Sequence, residues 1–118
     1  MKYLLMLYAD EKAGAKIPPA EMSKFMQIMY AYEAALTKAG AFVATAPLQP
    51  TWTAKTINLD QGELKVHDGP YAETKEQFGG YYIIDCPDMD TAVSWAAKCP
   101  AATWGKIEIR PYNQQFSE

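Results

Sequence analysis

Two short segments, residues 2–8 and 81–86, constrain the fold most, because each is apolar on both faces of a strand. Successive side chains of a strand point to opposite faces. In the first segment both sets are apolar: Tyr3, Leu5 and Leu7 on one face, and Leu4, Met6 and Tyr8 on the other. A strand of this kind is covered on both faces in the folded protein. The fold must therefore provide two layers of cover.

Two helices are predicted, and together they can cover only one face of a sheet. Pro18-Pro19 opens the first helix, since the fixed φ of proline is tolerated in the first turn, and Gly40 ends it as a left-handed cap. Asp88 is the N-cap of a second helix that runs to about Lys98. The first helix carries a stripe at helical spacing, which we interpret as core packing: Met22, Phe25, Met26, Met29, Tyr32 and Leu36.

The remaining segments complete an α+β pattern within one domain, residues 1–118. Residues 41–46 form a short strand, residues 54–59 and 63–67 form a hairpin, and residues 106–110 form the last strand. The order strand, helix, strand, hairpin, strand, helix, strand predicts a ferredoxin-like, split βαβ subunit with both helices on one face. A second copy of the chain is the economical cover for the other face, which predicts a homodimer.

Composition excludes several classes of partner. The net charge of −3 and the pI of about 5.1 argue against nucleic acid. The apolar run of residues 3–8, ahead of Asp10-Glu11, has only six residues, too few for a signal peptide or a membrane span. We therefore expect a cytoplasmic protein with no membrane partner.

The sequence also predicts no metal or cofactor site. One histidine and two distant cysteines do not make a typical zinc site, and no glycine-rich phosphate loop is present. Cys86 and Cys99 flank a helix of about eleven residues, roughly 16 Å long at 1.5 Å per residue. That separation is too great for a disulfide, so we expect both thiols to be reduced and unpaired.

The polar stretch from His67 to Gln77 joins two predicted strands and is the natural place to seek function. His67 is the only histidine, which makes it the candidate acid or base at neutral pH; the alternative is a solvated surface residue. Asp68 is the candidate second catalytic group. A direct pair requires the strand to break between the two, as Gly69-Pro70 could allow. The alternative for Asp68 is an Asx-type cap of the next turn.

Four further residues are candidates for substrate binding. Tyr8 ends the first strand and could reach the rim of the same loop, or could instead be a ring at a dimer interface. Arg110 could bind a carboxylate in a bidentate manner, and its alternative is an ion pair with Glu108. Tyr71 and Lys75 lie in the polar stretch itself, where a charged side chain such as Lys75 is more often solvated.

Several segments together resemble the DGPF-domain branch of the YCII-related family. They are residues 67–76 (HDGPYAETKE), residues 79–82 (GGYY), residues 108–111 (EIRP) and the opening residues 2–8. The match spans nearly the whole chain. The motif DGPF, from which the branch takes its name, reads Asp-Gly-Pro-Tyr here, with Tyr71 in place of Phe. The resemblance implies a dimeric α+β barrel of ferredoxin-like subunits. Better-known members of the family are proposed to be enzymes that use a His and an Asp on small molecules, some of them in aromatic degradation, so the resemblance implies a similar role. It also implies an association with extracytoplasmic-function sigma factors.

Three functions stay open on the sequence. The first is a small-molecule enzyme of the lyase, isomerase or dehalogenase kind. In it His67 moves a proton, Asp68 orients His67 or carries the second proton, and Tyr8 or Arg110 holds the substrate anion. The second is a non-catalytic ligand-binding or regulatory module, for which a sigma factor is a candidate partner. The third is a stable dimer whose loop closes the barrel without a chemical role, because this fold alone does not determine function.

Overall fold

The computed structural model describes residues 1–114, which fold into antiparallel sheets and helices. The strands are β1 (Lys2–Ala9), β2 (Phe42–Pro47), β3 (Lys55–Asp60), β4 (Glu63–Asp68), β5 (Gln77–Asp85) and β6 (Lys106–Pro111). The helices are α1 (Glu11–Ala15), α2 (Pro19–Lys38) and α3 (Met89–Lys98). Short 3-10 turns lie at Thr51–Thr53 and Pro100–Thr103.

The main sheet confirms the predicted ferredoxin-like α+β arrangement. Its four strands lie in the order β2-β5-β1-β6, and every neighbouring pair is antiparallel. This is the order produced when two βαβ units interleave their strands. β3 and β4 pair only with each other, as a separate two-stranded sheet.

Both long helices pack on one face of the main sheet. Tyr32 and Leu36 of α2 and Ala92 and Ala96 of α3 belong to the same buried cluster as the inward side chains of the sheet, Tyr3, Leu5, Tyr82 and Ile84. The Tyr32 hydroxyl donates a hydrogen bond of 2.8 Å to the carbonyl oxygen of Trp95. That carbonyl lies in the last turn of α3, where helix geometry leaves acceptors without an intrahelical donor. One side chain therefore joins the two helices.

The helix ends follow the local sequence. The Asp88 carboxylate accepts a hydrogen bond of 2.8 Å from the Thr91 amide, as expected of an N-cap. Hydrogen bonds from Thr91 lower the pKa of Asp88 below its ordinary 3.8. This cap therefore stabilises the fold above about pH 4, and its contribution is lost as the pH falls through the lowered value. Gly40 has φ of +74°, which confirms the predicted left-handed cap.

Two boundaries differ from the sequence prediction. Residues 11–15 form α1, a helix in addition to the two predicted, because the Asp10 side chain accepts from the amides of Lys12 and Ala13. β5 begins at Gln77 rather than at Tyr81. The pairing of β5 with β1 shifts at Gly79, which a β-bulge accommodates, and the strand continues through it.

The second face of the sheet is uncovered in this chain. Leu4, Met6, Tyr81 and Ile83 point away from the helices, and all four are only half-buried. The described structure measures 48 × 44 × 18 Å. A thickness of 18 Å corresponds to one sheet and one layer of helices. No third layer is therefore formed by residues 1–114. We call this surface the open face.

Both cysteines are free and buried, which confirms the prediction of unpaired thiols. Burial raises the pKa of the Cys99 thiol, and also that of Cys86. They are therefore core side chains with little thiolate character at neutral pH.

Replacing Tyr32 by Phe should lower the free energy of unfolding by about 1–2 kcal/mol, because the Trp95 carbonyl loses its donor in a buried setting. Urea denaturation measures the change. The matched control is Tyr30→Phe on the same helix, since the Tyr30 side chain is 61% exposed. Equal effects of the two substitutions would show that the hydrogen bond between the helices contributes nothing.

Candidate functional site

A cleft of about 370 Å³ lies between the N-terminal half of α2 and the end of the sheet. Its walls are mainly apolar, which is typical of small-molecule sites of this size. The lining side chains include Leu7, Tyr8, Met22, Phe25, Met26, Met29 and Trp104. An adjoining cleft of about 670 Å³ shares Met22, Phe25 and Trp104 with the first, so the two form one continuous groove. We call the 370 Å³ part the α2 cleft.

The α2 cleft exists because the apolar stripe of α2 divides into two halves. Tyr32 and Leu36 enter the core, whereas Met22 and Met26 remain 36% and 47% exposed. The Phe25 ring packs against the Trp104 ring, with centroids 5.1 Å apart, at the mouth of the cleft. The prediction of core packing therefore holds for the second half of the stripe only.

Among residues 1–114, Glu33 is the only charged residue that lines the α2 cleft. It is half-buried, and the polar residues beside it are Tyr30, Thr45 and Tyr82. Burial raises the pKa of Tyr82; the Thr45 hydrogen bond opposes this, and the nearby Glu33 carboxylate adds to it. An apolar cavity with one carboxylate at its wall favours a ligand that brings a donor or a positive charge.

The carboxylates of the adjoining cleft are already used by the fold. Glu11 accepts hydrogen bonds from the Thr51 amide, at 2.9 Å, and from the Thr51 hydroxyl. Asp10 caps α1. No lysine or arginine of the described part of the chain lines either cleft. The groove as a whole is therefore apolar with an acidic character.

His67 and Asp68 lie on β4, outside both clefts. The strand continues through Asp68 and breaks at Gly69, so the two side chains point to opposite faces of the hairpin. His67 is exposed and stands opposite Thr56, while the Asp68 carboxylate pairs with Lys55. The single chain does not bring the predicted pair into contact, and their catalytic roles stay predictions.

The four predicted binding residues are also dispersed. Tyr8 lines the α2 cleft, with its ring centroid 5.7 Å from that of Phe78. Arg110 lies on the edge strand β6, 3.8 Å from the Glu108 carboxylate, in the ion pair considered as its alternative. β6 pairs Arg110 with Leu4 and Lys106 with Tyr8, so Arg110 is four residues, or about 13 Å, from the Tyr8 end.

Tyr71 and Lys75 are exposed in the loop between β4 and β5. Tyr71 is 92% exposed, the highest value among the large apolar side chains of the described chain. Elsewhere the loop is tied down by the ion pair of Glu76 with Lys106 and by the Gln77 side-chain amide, which donates to the Thr74 carbonyl oxygen at 2.6 Å. The loop is thus anchored at its end and presents Tyr71 to the outside.

The described residues were compared with the requirements of a metal cluster and of a membrane-spanning helix. No three His, Cys, Asp or Glu side chains within residues 1–114 come together as metal ligands. Across the same residues, no helix has the length and apolar character needed to cross a membrane.

Comparison with known proteins places the chain in a family. The family model of the YCII-related domain matches residues 1–115. The chain belongs to the YCII-related family. An uncharacterized protein of Rhizobium meliloti (strain 1021) is 36% identical over 113 residues, which span 94% of this chain and 91% of that protein. The assignment to the DGPF branch stays a prediction.

Gly105 should be irreplaceable, because it lets the turn after Trp104 lie against the end of β1. A Cβ at this position would lie 1.9 Å from the Tyr8 carbonyl oxygen, so Gly105→Ala must displace backbone. We expect a loss of about 2–4 kcal/mol in unfolding free energy, measured in urea. Gly14→Ala is the control, since a Cβ at that helical position meets nothing within 4 Å. A Gly105→Ala protein as stable as the control would contradict this packing.

Proposed function

We propose that this YCII-related protein is a homodimeric binding protein for a small apolar molecule, with the α2 cleft as the binding site. The observation that carries the proposal is the cleft of about 370 Å³ itself, apolar in its walls and lined by a single carboxylate. A volume of this size suits a one- or two-ring ligand. This corresponds to the ligand-binding alternative left open on the sequence.

The chemistry of the walls favours an aromatic amine over an aromatic acid. Phe25 and Trp104 offer ring faces that can stack on a planar ligand or attract a cation. Glu33 can accept a charge-assisted hydrogen bond, and no basic lining residue is available to hold an anion. An acidic ligand would place like charges together in an apolar setting.

The proposed dimer joins the open faces of two copies, giving the dimeric α+β barrel that the family resemblance implies. Burying Leu4, Met6, Tyr81 and Ile83 would give both faces of β1 and β5 apolar cover. The chain exposes 8471 Å², about 2,000 Å² more than expected for a compact monomer of its mass. An excess of that size is comparable with the area each chain buries in a stable dimer.

Ile83→Arg should separate the dimer into monomers, because it places a charge in the centre of the open face. The neighbouring Ile84 is fully buried toward the helices, so the open position is Ile83. Sedimentation equilibrium at micromolar concentration gives the mass. Val93→Arg is the control, on the outer side of α3, where Val93 is 49% exposed. A wild-type mass of 13.2 kDa would refute the dimer.

The site is tested with two probes that share one ring system, tryptamine as the cation and indole-3-propionate as the anion. We expect tryptamine to bind more tightly in isothermal titration calorimetry, because of Glu33. Glu33→Gln should weaken tryptamine by about tenfold, a typical loss for a charge-assisted hydrogen bond, and leave indole-3-propionate unchanged or improved.

Glu21→Gln is the matched control for the cleft, since Glu21 is an exposed carboxylate on the same helix and does not line it. Equal losses in the two variants would mean that the net charge of the helix, and not the cleft, attracts the cation. Failure of both probes to bind at millimolar concentration would refute the binding proposal.

The acid–base roles of His67 and Asp68 stay a second proposal, supported by one local observation. A Cβ on Gly69 would lie 3.6 Å from the His67 Nε2 atom, so the imidazole stands over the start of the loop that holds Tyr71. That side is open in the single chain. An enzyme of this kind would need a second chain to close around the imidazole and exclude water.

A further inference from the structure

β3 and β4 form an arm, residues 55–68, with one apolar and one polar face. Their register pairs Ile57 with Val66 and Leu59 with Leu64 on the same face. These four side chains are between 54% and 71% exposed. The opposite face is polar, with Thr56 across from His67 and Asn58 across from Lys65. The arm thus alternates apolar and polar side chains like a strand pair that covers a core, although residues 1–114 place no core against its apolar face.

An isolated two-stranded ribbon is marginally stable in water, and a cover over its apolar face is what normally secures it. The turn of this arm is well formed, since Gln61 and Gly62 both have positive φ, at 51° and 82°, as a type I′ turn requires. The register is therefore set locally. Four adjacent aliphatic side chains left in solvent form the contiguous patch that usually marks a protein interface.

The arm also projects from the body of the molecule. The radius of gyration is 16.2 Å, against about 13.5 Å for a compact chain of this length. Apart from Thr56, which is half-buried, all residues of β3 and β4 are exposed. Two exposed rings flank the base of the arm, Trp52 at 65% and Tyr71 at 92%.

We propose that the apolar face of the arm docks on a second copy of this chain, as a second contact of the homodimer proposed above, on which the inference rests. The area favours a second copy as the occupant: the chain exposes a surplus of about 2,000 Å², to which the exposed arm contributes, and this lies within the range that each chain of an obligate dimer buries. In a dimer with a twofold axis, the arm of each chain would dock on the other chain, so that both apolar faces would be covered at once.

The charges of the arm argue against a lipid surface or a polyanion as the occupant. Lys55 at the base of the apolar face is neutralised by Asp68. The arm carries Lys55 and Lys65 against Asp60, Glu63 and Asp68, a net charge of −1 with His67 neutral. Anionic membranes and nucleic acids attract clusters of basic residues. A neutral aliphatic face is suited to another aliphatic face.

Docking of the arm would have a consequence for the candidate catalytic residues. The apolar face would be turned toward the partner, and the loop that follows β4 would be brought to the boundary between the two chains. Tyr71, exposed in the single chain, would then lie close to the partner. Asp68, which lies on the docked face, would border the partner, whereas His67 would stay on the outward polar face.

Hydrogen–deuterium exchange on the full chain tests the inference. The amides of residues 55–68 should exchange at least tenfold more slowly in the dimer than in the Ile83→Arg monomer, and the wild type should lose that protection on dilution below its dimer dissociation constant. Protection that is the same in dimer and monomer would overturn the docking of the arm.

Single substitutions on the two faces of β3 give an independent measurement. Ile57→Lys should raise the dimer dissociation constant by about tenfold or more, because the charge falls at the apolar contact. Asn58→Lys, one residue away on the polar face, should leave it unchanged. Leu64→Lys on the other strand should repeat the effect of Ile57→Lys. Circular dichroism must show that each variant keeps its fold.

The outcomes separate the arm from the rest of the dimer. If Ile83→Arg yields monomers but the Ile57 and Leu64 variants dimerise like wild type, the sheet interface stands and the arm inference is refuted. If the wild type is monomeric, both are refuted. If the arm is protected only when vesicles of neutral or anionic lipid are added, a lipid surface is the occupant and the inference is wrong.

Discussion

The structure depends on the position of β1, which is paired on both edges and apolar on both faces. Its backbone is hydrogen-bonded to β5 on one side and to β6 on the other. One face receives α2 and α3, which meet each other through Tyr32 and Trp95. The other strands of the main sheet and the helices that cover it are placed relative to β1, and the α2 cleft opens where β1 ends at Tyr8 and Ala9.

The fold could be predicted from the sequence because its signals are local and agree with one another. Alternation in β1 and β5, the stripe of α2, the cap at Asp88 and the glycine at position 40 each specify a structure within a few residues. The errors lie where the local signal was weak. The helix α1 was missed because it has only five residues and none of them is buried, so no apolar stripe marks it. The early start of β5 was missed because Gly79-Gly80 suggests a turn rather than a bulge.

The candidate site was harder to predict, and the reason is physical. Composition drew attention to His67 and Asp68, yet neighbouring strand residues face apart unless the backbone breaks, and here it breaks one residue too late. The α2 cleft is built from Met22, Met26 and Phe25, which in sequence cannot be told from core. These residues line a cleft because the first turns of α2 stand away from the sheet. No local sequence pattern encodes that separation. Glu33, within an otherwise apolar wall, is the residue that could have signalled it.

Because the molecule is thin, the position of a residue in β1, odd or even, determines whether its side chain lies in the core or on the surface. With one sheet and one helix layer in 18 Å, a side chain of this strand is either in the core or on the surface, with no deeper layer between. Tyr3 and Leu5, at odd positions, are at most 2% exposed, whereas Leu4 and Met6, at even positions, face outward. Change at an odd position alters the interior of one molecule, and change at an even position alters what that molecule presents to its surroundings. Natural variation from Tyr3 to Met6 would therefore be governed by parity, with two independent selective pressures interleaved along four residues.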